Sequence, residues 1–97
     1  MRKIELDMNH AIRLRQDWRK DNTEVAWMED GTGEVLLHGN SIARVHPAPE
    51  GAVLELNWQT FRRWPTRTTL SRLRALGFNV SAPHGDARAV TGRIRLS

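Results

Sequence analysis

Over residues 61–97 eight arginines stand against a single acid, Asp86, and no lysine occurs. A guanidinium is a planar fork that meets phosphate or carboxylate through paired hydrogen bonds and stacks on aromatic rings. The densest stretch is WPTRTTLSRLRALGF, residues 64–78, where three arginines and four Thr/Ser hydroxyls lie between Trp64 and Phe78. The chemistry these residues can do is recognition of an anionic partner. The residues expected to carry it are Arg62, Arg63, Trp64, Arg67, Thr68, Ser71, Arg72 and Arg74, with Arg93 and Arg95 further along. A second candidate is His38-Gly39-Asn40, a turn whose Gly-Asn tip beside an imidazole can also serve as a contact loop.

Catalysis has no comparable set of residues. His10, His38, His46 and His84 have no partner at helical i+3 or i+4 spacing, so no metal site is expected. No G-x-S-x-G elbow occurs, and the GTG at residues 31–33 leads into a strand pattern rather than a helix, so it is no phosphate cradle. Glu29 and Asp30 belong to a turn. The expectation is a binding protein without catalytic residues, cofactor or metal.

The whole chain sets wider bounds. Ninety-seven residues make one domain, 1–97, with no room for a second core. The absence of cysteine removes disulfides, thiolate nucleophiles and Cys-based zinc sites, which suits a reducing cytosol. No segment has the apolar run of a signal peptide or a membrane span, so a soluble intracellular protein is expected. Residues 1–60 hold seven Lys/Arg against ten Asp/Glu, so the basic character of the chain (pI about 11.0) comes from its last third. An ordinary solvated face whose signs segregate would look the same.

The elements that must position these residues follow from periodicity and turn chemistry. Residues 8–20, MNHAIRLRQDWRK, place Met8, Ala11, Ile12, Leu14, Arg15 and Trp18 loosely at helical spacing, with Asn9 or Asp7 as a cap. IRLRQDW also alternates, which leaves a strand open there. From residue 22 the pattern is that of a meander of about four strands: NTEVAW, a turn at EDGTG, EVLL, a turn at His38-Gly39-Asn40 with Gly39 and Asn40 central, SIARV, a turn at HPAPEG, and AVLELNW. Pro65 and a cap at Thr66 or Thr68 open a helix over residues 66–76, and Gly77 stops it. Leu70, Leu73 and Leu76, joined by Thr69, form its inner arc. Arg67, Ser71 and Arg74 form the outer arc, and Arg72 lies at the margin. In the tail, FNVSA and RIRLS read as two more strands joined through the turn Pro83–Asp86.

This amounts to an α+β fold: a small antiparallel meander of about four to six strands, a short helix in the C-terminal half packed on it, and a possible N-terminal helix near residues 8–19. A winged-helix alternative takes LELNWQTFRRW and TTLSRLRALGF as the two helices of a helix-turn-helix. The alternation of Val53–Trp58 and the strand-like character of residues 23–46 oppose it. Trp18, Trp27 and Trp58 are expected in the core.

Three segments in order, WRKDNTEV (18–25), LHGNSIA (37–43) and WPTRTTLSRLRALG (64–77), resemble a family of small proteins encoded by tailed phages, with the recurring elements W-[KR]-x-x-N-T-x-V, L-H-G-N-x-I-A and W-x-T-x-T-T-x-x-R-L-x-A-L-G. The resemblance implies a phage origin and action in the host bacterial cytoplasm; it supplies no catalytic residues. Small phage proteins of this size often bind and block a host machine, such as a CRISPR complex, another defence protein, or a transcription or replication factor. The expected function is therefore a host-directed inhibitor that binds a host protein or nucleoprotein complex through its basic surface. Direct DNA binding through phosphate contacts is the alternative.

Overall fold

The computed structural model describes residues 1–49 and 51–80, and the backbone of residues 93–96. Helix α1, Lys3–Leu14, comes first. Glu5, Met8, Ala11 and Ile12 recur every three or four residues and form its buried stripe. At its start the Glu5 carboxylate accepts the Arg2 backbone N–H at 3.1 Å, satisfying a donor that the first turn leaves unpaired. At its end Arg15 adopts a left-handed conformation (φ 53°).

The helix expected at residues 8–19 therefore starts and stops five residues earlier. The alternation in IRLRQDW is resolved by division: the helix runs to Leu14, and strand β1, Trp18–Lys20, begins at Trp18. The linker is pinned by Trp27, whose backbone N–H donates to the Asp17 carboxylate at 2.8 Å and whose Nε1 donates to the Gln16 carbonyl at 3.0 Å. Neither expected cap is used. Asn9 instead donates its amide to the Ala75 carbonyl at 3.0 Å.

The remaining strands are β2 Thr23–Trp27, β3 Gly33–Leu37, β4 Asn40–Ala48, β5 Gly51–Leu56 and β6 Arg93–Leu96. Each pairs antiparallel with the next, giving a six-stranded meander in the order β1-β2-β3-β4-β5-β6. The β3–β4 turn is shifted by one residue from expectation. His38 (φ 51°) and Gly39 (φ 79°) take the two left-handed positions, and Asn40 already belongs to β4. Just beyond, Val35 pairs with Ala43 but Leu36 pairs with Ser41, so Ile42 is an extra residue. This bulge lets adjacent residues, Ile42 and Ala43, both reach the core.

Strand β5 stops at Leu56, because Asn57 caps a helix: its carboxamide oxygen accepts the Thr60 N–H at 3.1 Å. That helix, α2 Trp58–Arg63, buries Phe61. It was expected only in the winged-helix alternative, and the meander upstream replaces the helical scaffold that alternative needs. Trp64, Pro65 and Thr66 lead into helix α3, Arg67–Leu76. The Thr66 hydroxyl accepts the Thr69 N–H at 3.1 Å, and Gly77 (φ 111°) ends the helix where expected.

The core lies between the helices and one face of the sheet. Val25, Val35, Val45 and Leu54 meet Met8 and Ile12 of α1, Leu70, Leu73 and Leu76 of α3, and Phe61. Phe78 and Val80 complete it from irregular chain, where a strand was expected from residue 78. Trp18, Trp27 and Trp58 pack against the rim of this core, half-buried, while the aromatics fully inside are Phe61 and Phe78. The open face of the sheet carries mixed charge, with an Arg44–Glu34 ion pair at 3.5 Å and His46 Nε2 3.0 Å from Glu55 Oε1. Among the described residues no helix is long and apolar enough to cross a membrane.

Candidate functional site: the arginine helices and three turns

Arg72 corrects the sequence reading first. It was placed at the edge of the basic surface, but it is only 3% exposed. Its Nη1 donates to Glu5 Oε2 at 2.7 Å, and its Nε donates to the Thr23 hydroxyl at 3.0 Å. Thr23 in turn donates to the Asn22 carboxamide oxygen at 2.9 Å. Ser71 donates its hydroxyl to the same Glu5 oxygen at 2.5 Å. Burial by itself pushes the Glu5 carboxyl up; the hydrogen bonds from Ser71, the Arg2 N–H and Arg72, with the Arg72 charge, outweigh it and hold the group below its ordinary value. Arg72 thus joins α1, β2 and α3 from inside and is not available to a partner.

The outer side of α2 and α3 is different. Arg62, Arg63, Arg67 and Arg74 are exposed, and none has a carboxylate at ion-pair distance among the described residues. Arg74 donates its Nε to the Val80 carbonyl at 3.0 Å. Trp64 is 42% exposed, with the Arg63 guanidinium 4.8 Å above its ring centroid. Thr68 and Ser71 are half-buried. Arg67, Ser71 and Arg74 line a shallow cleft of about 340 Å³ with Met1, Glu5 and Ala75. Arg93 and Arg95 stand opposite Glu55 and Val53 in the β5–β6 register; their side chains lie outside the described residues.

The fold also joins the contact loop to the arginine helices. His38 and Asn40 share a cleft of about 200 Å³ with Trp64, Thr66, Thr69, Thr60, Leu37 and Ile42. On the other side of the same turn, His38 and Gly39 border a second cleft with Arg19, Asp21, Asn22 and Glu24. The His38 backbone N–H donates to the Asn22 carbonyl at 2.8 Å and ties the two turns together. The three segments WRKDNTEV, LHGNSIA and WPTRTTLSRLRALG, separated in sequence, thus meet around the β3–β4 turn. Thr60, Ile42 and the Asp21-Asn22 turn were not singled out from sequence. The Asp-Asn pair in Lys-Asp-Asn-Thr is a local signal for that turn, where Asp21 is left-handed (φ 53°); no local signal marks Thr60 or Ile42. A more apolar cleft, lined by Ile12, Trp27, Val45, Pro47 and Ala52 beside Arg13 and Arg15, includes none of the expected residues. No three His, Asp or Glu residues come together as metal ligands among the described residues.

Compared with known families, the sequence matches over residues 1–89, nearly its whole length. The chain belongs to the Kyanoviridae Gp96 protein family. This is a cyanophage protein family of unassigned function, and the resemblance to small tailed-phage proteins is thereby shown. The Gp96 match extends the resemblance beyond residues 18–77 to take in α1, and with it Glu5. Arg93 and Arg95 lie past its end. No curated protein and no solved structure matches the chain.

Proposed function

We propose that this phage protein is a non-enzymatic binder that grips an acidic host protein or nucleoprotein complex through the outer side of α2 and α3, and so acts as a host-takeover or anti-defence inhibitor. The observation that carries the reading is that Arg62, Arg63, Arg67 and Arg74 are all exposed without a carboxylate partner among the described residues, with Arg63 lying over the exposed Trp64. Internal ion pairs use such charges when the fold needs them, as Glu5 uses Arg72. Unpaired, the four guanidinia attract and orient an anionic surface, and Trp64 adds the large, rigid contact area typical of interface anchors.

The test is capture from host lysate by the wild-type protein and by Arg62→Glu/Arg67→Glu. Neither arginine makes a described hydrogen bond, so the variant changes charge with little effect on the fold. Retention of a defined host component by the wild type and its loss from the variant supports the reading. Equal retention by both overturns it.

Direct binding of duplex DNA is the second reading, favoured by the exposed Arg67 and Arg74 at i and i+7 on a helix that follows α2 after a short turn. It requires a shifted duplex at low salt and an affinity that falls steeply as salt rises. No shift at low salt removes it.

A further inference from the structure

We propose that the cleft between the β3–β4 turn and Trp64 receives a single unstacked nucleobase, so that the partner presents single-stranded nucleic acid. The inference rests on the binding reading above and names what the surface binds.

The cleft has what a base needs. Its floor is apolar, made by Leu37 and Ile42. Trp64, 42% exposed with the Arg63 guanidinium over its ring, lines the cleft and supplies an aromatic surface on which a base can stack. His38 and Asn40 line it as well. The His38 ring has no hydrogen-bond partner among the described residues, and the one described bond of the Asn40 side chain is a long 3.4 Å contact from its amide to the His38 carbonyl. An imidazole and a carboxamide oxygen are therefore available to the edge of a base. At about 200 Å³ the cleft is smaller than pockets for drug-sized ligands, which run from roughly 300 to 1,000 Å³, so it suits one ring system and not a cofactor.

The surroundings supply the phosphate contacts. Arg67 follows Thr66, which lines this cleft, and itself lines the cleft of about 340 Å³ with Ser71 and Arg74. A strand with one base in the first cleft would run its phosphates along these cations. Duplex DNA offers a base only by flipping it out of the stack, at a cost of about a few kcal/mol that a single strand does not pay. An acidic peptide would satisfy the arginines but leave the Trp64–His38 cleft unused.

The experiment measures binding of the intact protein to labelled oligothymidylate and oligouridylate of about twelve nucleotides, a length within the site sizes of known single-strand binders. A duplex of the same length serves as comparison, and binding is followed by anisotropy and tryptophan fluorescence. The expected result is at least tenfold tighter binding of single strand than duplex, with quenching. Trp64→Ala should weaken binding by about tenfold while Trp64→Phe retains most of it. A thermal melt of each variant checks folding. A preference between the DNA and RNA strands identifies the source of the base.

Equal affinity for duplex and single strand, or an unchanged Trp64→Ala, overturns the proposal. So does an absence of binding. Nuclease treatment of the lysate separates the two readings. Host capture that survives nuclease and still depends on Arg62 and Arg67, without oligonucleotide binding, keeps the acidic-partner reading and discards the base site.

Discussion

Arg72 Nη1 lies 2.7 Å from Glu5 Oε2, joining α3 to α1 across 67 residues of sequence in a site where both side chains are almost fully buried. Two charges taken out of water are stable only if their geometry is good and their remaining hydrogen-bonding groups are satisfied. Here Ser71, Thr23 and the Arg2 N–H supply those bonds, and no buried side-chain nitrogen or oxygen among the described residues lacks a partner.

Breaking the pair on one side is expected to be costly. Arg72→Ala leaves Glu5 buried without its cation and should lose about 3–5 kcal/mol in urea unfolding. Glu5→Leu/Arg72→Met removes both charges together. It should recover most of that loss, and a double variant as unstable as the single would show that the pair itself supplies net stability.

The pH dependence follows from Glu5. Its folded-state carboxyl titrates below the ordinary value of 4.5, so the folded state holds the deprotonated form more strongly than the unfolded chain does. The resulting stability is fully present above that ordinary value and is lost as pH falls through the lower folded value. Urea midpoints between pH 7 and pH 3 should therefore fall less steeply for Glu5→Gln than for the wild type.

Two glycines should respond differently to alanine. Gly39 has open space around it, so Gly39→Ala costs only its left-handed backbone, about 1–2 kcal/mol, and leaves tryptophan fluorescence unchanged. At Gly33 an added Cβ would stand 2.8 Å from the Trp27 ring, its cross-strand partner. Gly33→Ala should cost about 1–3 kcal/mol and shift the tryptophan emission as the indole is displaced from the Gln16 carbonyl.

Helix caps give a fourth check. Asn57→Ala and Thr66→Ala each remove the side-chain acceptor of a helix N-terminus and should each lose about 1 kcal/mol in thermal or urea unfolding. Arg62→Glu/Arg67→Glu should stay within about 0.5 kcal/mol of the wild type, because neither side chain has a described bond to lose.

Local chemistry alone settled much of this protein. Thr66, the leucines at 70, 73 and 76, and Gly77 delimit α3, because a cap, a 3.6-residue period and a left-handed stop are all written within a few residues. The alternation from Thr23 to Leu56 marks the meander for the same reason, and the segregation of arginine into the last third needs no fold at all to be seen. The boundary at Leu14–Trp18 was less legible, since the same residues satisfy both periods until Arg15 turns left-handed. Only tertiary structure decided which arginines remain outside. Periodicity gives Arg72 an angle on its helix, but whether that angle faces water or a carboxylate depends on Glu5, which arrives from the other end of the chain. The meeting of His38, Asn22 and Trp64 is of the same kind. Each turn is a local event, and they adjoin because the sheet register and the packing of α2 and α3 bring the other two against the β3–β4 turn.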